Sequence, residues 1–152
     1  MPLDWKLVID CEDPHQLAHF WERALGYTAE DHSAHIERLH SMGAITEGLI
    51  VTDELHGGRK AWRHAAAIRH PHDAVDPDTG TGLGRRLLFM TVPEQKEGKN
   101  RLHIDVHAGP DARDTEVKRL ERLGARVLRV VVEPGSHHVT MADPEGNEFD
   151  VR

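Results

Sequence analysis

NRLHIDVHA, residues 100–108, alternates apolar and polar side chains along most of its length. This period of two predicts a β-strand whose apolar face packs on helices. The other face carries groups that bind metals or exchange protons, namely His103, Asp105 and His107.

A second stretch, MADPEGNEFDV at residues 141–151, combines a turn with a strand. Its DPEGN segment has the composition of a turn. Phe149 and Val151 then alternate with Glu148 and Asp150. Two strands that are far apart in the sequence therefore offer polar side chains to one sheet face. A sheet with an apolar outer face and a polar inner face predicts a binding cup.

The first predicted elements are a strand over residues 5–11 and a helix that begins at Pro14. Asp13 is the predicted N-cap, Gln16 can close a capping box, and Gly26 ends the helix. The later elements follow from the same rules of periodicity and turn composition. They are helices over residues 33–42 and 114–123, strands over residues 49–52, 60–69, 85–92, 126–132, 137–141 and 148–151, and a loop over residues 70–84.

The loop contains the glycine-rich segment GTGLG at residues 80–84. This segment lacks the Lys-Ser/Thr pair of a phosphate-binding loop, and no strand-to-helix junction surrounds it. We therefore interpret residues 70–84 as a flexible surface loop.

The composition restricts the class of protein. A chain of 152 residues with 38% hydrophobic content predicts one domain, or two similar modules that share a core. The net charge of −7 argues against nucleic acid as a partner, and no basic or apolar run indicates a membrane. The single cysteine, Cys11, excludes an intrachain disulfide framework, so we expect a cytoplasmic protein.

A weak internal repeat divides the chain. Residues 7–10, LVID, match residues 102–105, LHID, at three of four positions, and each segment precedes a helix that ends in Leu-Gly. Strands follow in both halves, so the pattern is strand, helix and several strands, twice. We expect a first module over residues 1–94, with a helical insertion and the loop, and a second module over residues 99–152.

Four motifs carry a resemblance to a known family, and together they cover nearly the whole chain. They are KLVIDCEDP at residues 6–14 with HFW at 19–21, RLLFMTVPE at 86–94, KNRLHID at 99–105, and ADPEGNEF at 142–149. With them the chain resembles the bacterial glyoxalase-like domain proteins of the vicinal-oxygen-chelate superfamily, which includes glyoxalases, bleomycin resistance proteins and extradiol dioxygenases.

The resemblance implies an α+β fold in which two βαβββ modules form an open, cup-shaped mixed sheet with helices on its outer face. It also implies a homodimer, and often a divalent metal at the floor of the cup. Activities in the superfamily include lyases, dioxygenases, epimerases and thiol transferases, and some members only sequester antibiotics.

Metal-binding relatives draw one ligand from the first strand and one from the last strand of each module. The resemblance places His103 and Glu148 at these positions in the second module, where they suit Zn, Mn, Fe or Ni. His103 would be a ligand, and Glu148 a ligand or a catalytic base. The repeat places Val8 and Leu88 at the matching positions of the first module, and neither can bind a metal. The alternative is an apo pocket in which His103 and Glu148 bond each other or water.

Further residues are expected to line the cup and bind the substrate. Trp62 and His64 share one face of the predicted strand over residues 60–69, although Trp62 could instead cover the edge of the core. The complete predicted substrate-binding set is Trp62, His64, Asp10, Asp105, Val8, Leu88, Met90 and Asp150.

Two functions remain open on the sequence. The first is a metal-dependent lyase or dioxygenase that acts on vicinal oxygens of a small molecule. The alternative is a non-catalytic protein that sequesters a small molecule of the antibiotic type around a degenerate metal site.

Overall fold

The computed structural model describes residues 1–152 and contains three α-helices, ten β-strands and two short 3₁₀ turns. The helices are α1 (Pro14–Leu25), α2 (Ser33–Ser41) and α3 (Arg113–Leu123). The strands are β1 (Leu7–Cys11), β2 (Thr28–Ala29), β3 (Ile50–Asp53), β4 (Arg59–Trp62), β5 (Ala65–Arg69), β6 (Arg86–Thr91), β7 (Asp105–Val106), β8 (Arg126–Glu133), β9 (Ser136–Ala142) and β10 (Glu148–Val151). None of the helices is both long and apolar enough to cross a membrane.

The strands form two open mixed sheets of the same topology. The first has the order β1-β6-β5-β2 and the second has the order β7-β10-β9-β8. In each sheet the first strand of the module pairs in parallel with the last one, and the other pairs are antiparallel. This confirms two βαβββ modules. The segment with α2 and the β3–β4 hairpin is inserted into the first module, while the proposed boundary at residues 95–98 stays a prediction.

One hydrophobic core joins both modules. Helix α1 of the first module contributes Phe20 and Trp21, and β10 of the second contributes Phe149. The ring centroids of Trp21 and Phe149 are 5.0 Å apart in an edge-to-face arrangement. Both rings are almost completely buried, so the modules cannot separate without exposing them.

The turn before β10 connects the modules through a buried carboxylate. Asp143 is 4% exposed, and its Oδ2 accepts a hydrogen bond of 3.0 Å from the indole Nε1 of Trp21. Its Oδ1 accepts bonds from the backbone N–H groups of Glu145 and Asn147. The DPEGN turn is therefore a structural joint as well as a turn.

The beginning of α1 is capped across the same joint. The Asp13 side chain accepts bonds from the N–H groups of His15 and Gln16, as predicted for an N-cap. The predicted capping box is wrong, because the Glu145 carboxylate takes the place of the Gln16 side chain and accepts the N–H of Asp13 at 3.0 Å.

Two predicted strands need correction. Residues 60–69 form two strands, because Arg63 and His64 make a turn and the Arg63 guanidinium donates to the carbonyls of Gly48 and Ile50. Residues 100–104 are not a strand: the N–H of Asn100 donates to the Glu148 side chain, and pairing with β10 begins only at the Ile104 carbonyl, which accepts the N–H of Asp150. A pattern of alternation does not reveal such a change of partner.

The loop over residues 70–84 is fastened to the first sheet by Glu30. This buried carboxylate accepts two hydrogen bonds from the Arg86 guanidinium, at 2.7 and 2.8 Å. It also accepts the N–H of Gly82 at 2.7 Å. Burial acts to raise the pKa of Glu30, but the hydrogen bonds from His32, Arg86 and Gly82 outweigh it and lower the pKa to about 2. A Cβ atom on Gly82 would lie 2.8 Å from the Cβ of Arg69, so only glycine fits.

Replacing Asp143 with alanine should lower the free energy of unfolding by about 3 kcal/mol, because Trp21 Nε1 and several N–H groups lose a charged acceptor. Urea denaturation followed by tryptophan fluorescence measures the change. The exposed Asp111→Ala is the matched control and should unfold like the wild type. Equal unfolding midpoints for both variants would contradict the role of Asp143.

The depressed pKa of Glu30 predicts a defined acid sensitivity. Its stabilising contribution is complete above the ordinary pKa of 4.5 and is lost as the pH falls through about 2. The loss amounts to about 3 kcal/mol, since each pKa unit is worth 1.36 kcal/mol. The Glu30→Gln variant should show a flatter dependence of unfolding free energy on pH between these values, whereas the exposed Glu94→Gln should keep the wild-type slope.

Candidate functional site

The polar face of the second sheet is built by β9 and β10. Phe149 and Val151 of β10 point into the core, so Glu148 and Asp150 lie on the opposite face. Thr140 of β9 is the direct cross-strand partner of Asp150 and lies on that face with it.

Four ionisable side chains converge on this face. His103 Nε2 lies 3.3 Å from Asp105 Oδ1 and 3.6 Å from Asp150 Oδ2. His138 Nε2 lies 3.5 Å from the same Asp150 oxygen. Although residues 100–104 are not a strand, His103 and Asp105 still reach the same face, as the sequence predicted.

Each carboxylate of this cluster has one oxygen fixed by a donor and the other turned towards His103. The Thr140 hydroxyl donates to Asp150 Oδ1 at 2.7 Å, and Arg152 Nε donates to Asp105 Oδ2 at 2.6 Å. The remaining oxygen of Asp105 is buried and accepts no hydrogen bond. A buried acceptor without a donor, next to imidazole nitrogen, fits a divalent cation of the zinc to manganese class.

Glu148 is held apart from this cluster by its own partners. Its carboxylate contacts the Lys96 ammonium at 3.1 Å and accepts the N–H of Asn100 at 2.9 Å. Burial acts to raise the pKa of Glu148, but these bonds hold the pKa below its ordinary value. No ion pair or hydrogen bond joins Glu148 to His103, and its role as ligand or base stays a prediction.

The first module presents a different surface. The strand register pairs Val8 with Leu88 and Asp10 with Met90, so these four side chains share the face opposite the core residue Phe89. Three of the four are apolar, and Asp10 is the one ionisable group among them. Their predicted role in substrate binding stays a prediction.

Trp62 and His64 do not share a strand face, because Trp62 ends β4 and His64 lies in the following turn. Trp62 lines a crevice next to α1, where its carbonyl lies 2.8 Å from His15 Nε2. The crevice has a volume of about 20 Å³, room for about one water molecule. Trp62 therefore borders a narrow gap in the first module.

Three residues of the polar face were not predicted from the sequence, namely His138, Thr140 and Arg152. Thr140 and His138 are two residues apart on one strand, and Arg152 follows Asp150 by the same spacing. Strand alternation indicates that either His137 or His138 faces the cup. It does not tell which of the two, because adjacent residues point to opposite faces.

Comparison with known proteins agrees with this architecture. The model of the glyoxalase-like domain family matches residues 6–152. The chain belongs to this family. A comparison with curated proteins gives no match.

Solved structures show the glyoxalase-like fold in fosfomycin resistance proteins. FosX from Mesorhizobium loti has 12% identity and a TM-score of 0.59, covering 100% of this chain and 91% of that chain. A FosX variant from Listeria monocytogenes, complexed with Mn(II) and 1S,2S-dihydroxypropylphosphonic acid, has 11% identity and a TM-score of 0.61, covering 100% and 92%.

A glyoxalase/bleomycin resistance protein/dioxygenase family enzyme from Burkholderia phytofirmans has 11% identity and a TM-score of 0.58, covering 96% of this chain and 94% of that chain. Similarity at this level of identity establishes the shared fold. The predicted vicinal-oxygen-chelate architecture is thereby confirmed.

The buried Cys11 should be inert towards alkylation. Burial raises the pKa of its thiol to about 12, and the charges of Glu145 and Asp13 add to the effect. Only roughly one thiol in 10,000 is then ionised at pH 8. Mass spectrometry should detect iodoacetamide adducts after unfolding in urea and none in the native protein. Rapid labelling of the native protein would contradict the buried placement.

Proposed function

We propose that this protein is a metal-dependent enzyme that acts on a small molecule with two neighbouring oxygen atoms. The supporting observation is the convergence of His103, Asp105 and Asp150, whose candidate ligand atoms lie within 4.8 Å of one another. Imidazole nitrogen and carboxylate oxygen suit Zn, Mn, Fe or Ni. When bound, such an ion would act as a Lewis acid on the substrate oxygens.

The surrounding side chains position this site. Thr140 and Arg152 each fix one carboxylate oxygen, so the orientation of Asp150 and Asp105 is set before any ligand arrives. The Ser136 hydroxyl lies 3.1 Å from His138 Nδ1, which leaves Nε2 facing Asp150. Pre-orientation of this kind lowers the cost of binding a ligand.

His103 is the residue best placed to exchange a proton with a bound molecule. Its side chain is 41% exposed, whereas that of His138 is 12% exposed and flanks Asp150 from the other side. An imidazole offers a donor and an acceptor nitrogen and suits either direction of proton transfer. This role would exclude His103 from holding a metal at the same nitrogen, so the two roles are alternatives for that atom.

The Listeria FosX variant supports the proposal by analogy, because the complexed molecule carries hydroxyl groups on neighbouring carbons and the metal is Mn(II).

The second candidate function is sequestration without chemistry. It is favoured by the apolar first-module face of Val8, Leu88 and Met90, which offers a surface for binding and few groups for catalysis. The homodimer and the cytoplasmic location stay predictions.

The metal site is tested by equilibrium dialysis against Mn, Fe, Ni, Co and Zn, with metal content measured for each variant. His103→Ala and Asp150→Asn should each bind at least ~10-fold more weakly at this site than the wild type. The exposed Glu94→Gln is the matched control and should keep the wild-type affinity. A His103→Ala variant that binds as much metal as the wild type would exclude this ligand set.

Acetohydroxamate, which offers two neighbouring oxygens, then separates the two candidate functions. If the proposal holds, calorimetry should show binding to the metal-loaded wild type and loss of binding with Asp150→Asn. A metal-loaded protein that does not bind hydroxamate would contradict a site for vicinal oxygens. A metal-free protein that captures apolar small molecules would favour sequestration.

A further inference from the structure

A second cluster of metal-ligating side chains lies on the first module, away from the polar face of the second sheet. His19 and Glu22 are three residues apart on α1 and therefore neighbours on its surface. His56 approaches them from the 3₁₀ turn that follows β3. The candidate ligand atoms of these three residues lie within 4.8 Å of one another.

The His56 ring lies between two carboxylates. Its Nδ1 lies 2.7 Å from Asp53 Oδ2, and its Nε2 lies 2.9 Å from Glu22 Oε2. When Nδ1 carries the hydrogen and donates to Asp53, the lone pair of Nε2 faces Glu22. A cation placed between that nitrogen and the Glu22 carboxylate would contact both.

His19 supplies an independent indication of a missing partner. Its Nδ1 is buried and forms no hydrogen bond, although it lies only 3.7 Å from Glu22 Oε2. Buried polar atoms of folded proteins nearly always have a partner. The orphan nitrogen belongs to the same small space as Glu22 and His56.

The rest of the cluster is already oriented. Glu22 Oε1 accepts the N–H of Ala29 at 3.2 Å, which fixes this carboxylate, and no lysine or arginine lies within 4 Å of it. Asp53 is 6% exposed and fixes the His56 ring. The cation nearest to Asp53 is Arg59, whose Nε is 3.7 Å from Oδ2. The side chains that face Glu22 Oε2 are therefore the two imidazoles of His19 and His56.

We propose that His19, Glu22 and His56 bind a zinc-class divalent cation, with Asp53 as the carboxylate that orients His56. Zinc accepts this combination of two imidazoles and one carboxylate, and a fourth position remains for water. Tetrahedral coordination needs ligand atoms ~3.3 Å apart. The separations of 2.9 and 3.7 Å from Glu22 Oε2 lie on either side of that value, so small side-chain rotations suffice.

The bound ion would join α1 to the inserted β3–β4 hairpin. This hairpin ends at Trp62, whose carbonyl already contacts His15 of the same helix. A ligand that binds only the folded state stabilises it. The site would therefore strengthen the attachment of the insertion, and it shares no residue with the cluster of His103, Asp105 and Asp150.

The decisive variant is His19→Phe. It removes the candidate ligand without breaking any hydrogen bond, and an aromatic ring still fits the edge-to-face contact with His56, whose centroid is 5.8 Å away. The metal-free variant should therefore melt at the wild-type temperature or slightly above it. A variant of normal stability keeps the test valid even if His56 or Glu22 replacements unfold.

The experiment compares the wild type, His19→Phe, His103→Ala and the double variant. Each is titrated with Zn²⁺ and Co²⁺, followed by metal content, melting temperature and the visible absorption of tetrahedral Co²⁺, with Mg²⁺ as a negative control. His103→Ala should retain the part of the Co²⁺ absorption and of the rise in melting temperature that belongs to this site. We expect His19→Phe and the double variant to lose that part, with an affinity at this site at least ~10-fold lower.

The outcomes distinguish this site from the one on the second module. If His19→Phe binds metal and gains stability like the wild type, the proposal is wrong whatever His103→Ala does. If the wild type shows no Zn²⁺- or Co²⁺-dependent change in melting temperature that His19→Phe abolishes, the proposal is also wrong. Loss of metal in His103→Ala alone would support the proposed enzyme site and exclude this one.

Discussion

Asp143 places a negative charge at the junction of the two modules, and five hydrogen bonds compensate for its removal from water. One of these bonds comes from Trp21, 122 positions earlier in the chain. The others fold the DPEGN turn around the carboxylate. Because β10 begins directly after this turn, the same contact fixes where Asp150 lies on the polar face. The position of the candidate site thus depends on the contacts of Asp143, although Asp143 itself contributes no ligand to the site.

The two modules share a topology but differ in the chemistry of their exposed faces. In the second module, donors fix one oxygen of Asp105 and one of Asp150, and the free oxygens meet His103. A buried carboxylate oxygen without a donor is costly unless a cation or a ligand satisfies it. The equivalent face of the first module offers Val8 and Leu88, which bring apolar contact area. The same face is therefore apolar in one module and carries a polar cluster in the other.

The two faces of helix α1 contact different parts of the molecule. Its inner face fills the shared core, and its outer face presents His19 and Glu22 to the inserted segment. The insertion lies within the first module in sequence, but its strands β3 and β4 pair only with each other. The contact of His56 with α1, the bond from Arg59 to the Glu30 carbonyl and the bond from Arg38 to the Asp78 carbonyl all hold it to the module. A metal at that place would reinforce a region that the sheets leave unsupported.

The sequence by itself determined the helices, a pattern of strand, helix and several strands in each half, and the placement of His103, Asp105 and Asp150 on a polar face. These features depend on local periodicity and capping, which each segment carries in its own residues. The tertiary structure decided which polar groups meet. It paired Glu148 with Lys96, added His138 to the cluster and divided residues 60–69 at a turn. Contacts between distant segments depend on strand register and core packing, and local alternation contains no information about either.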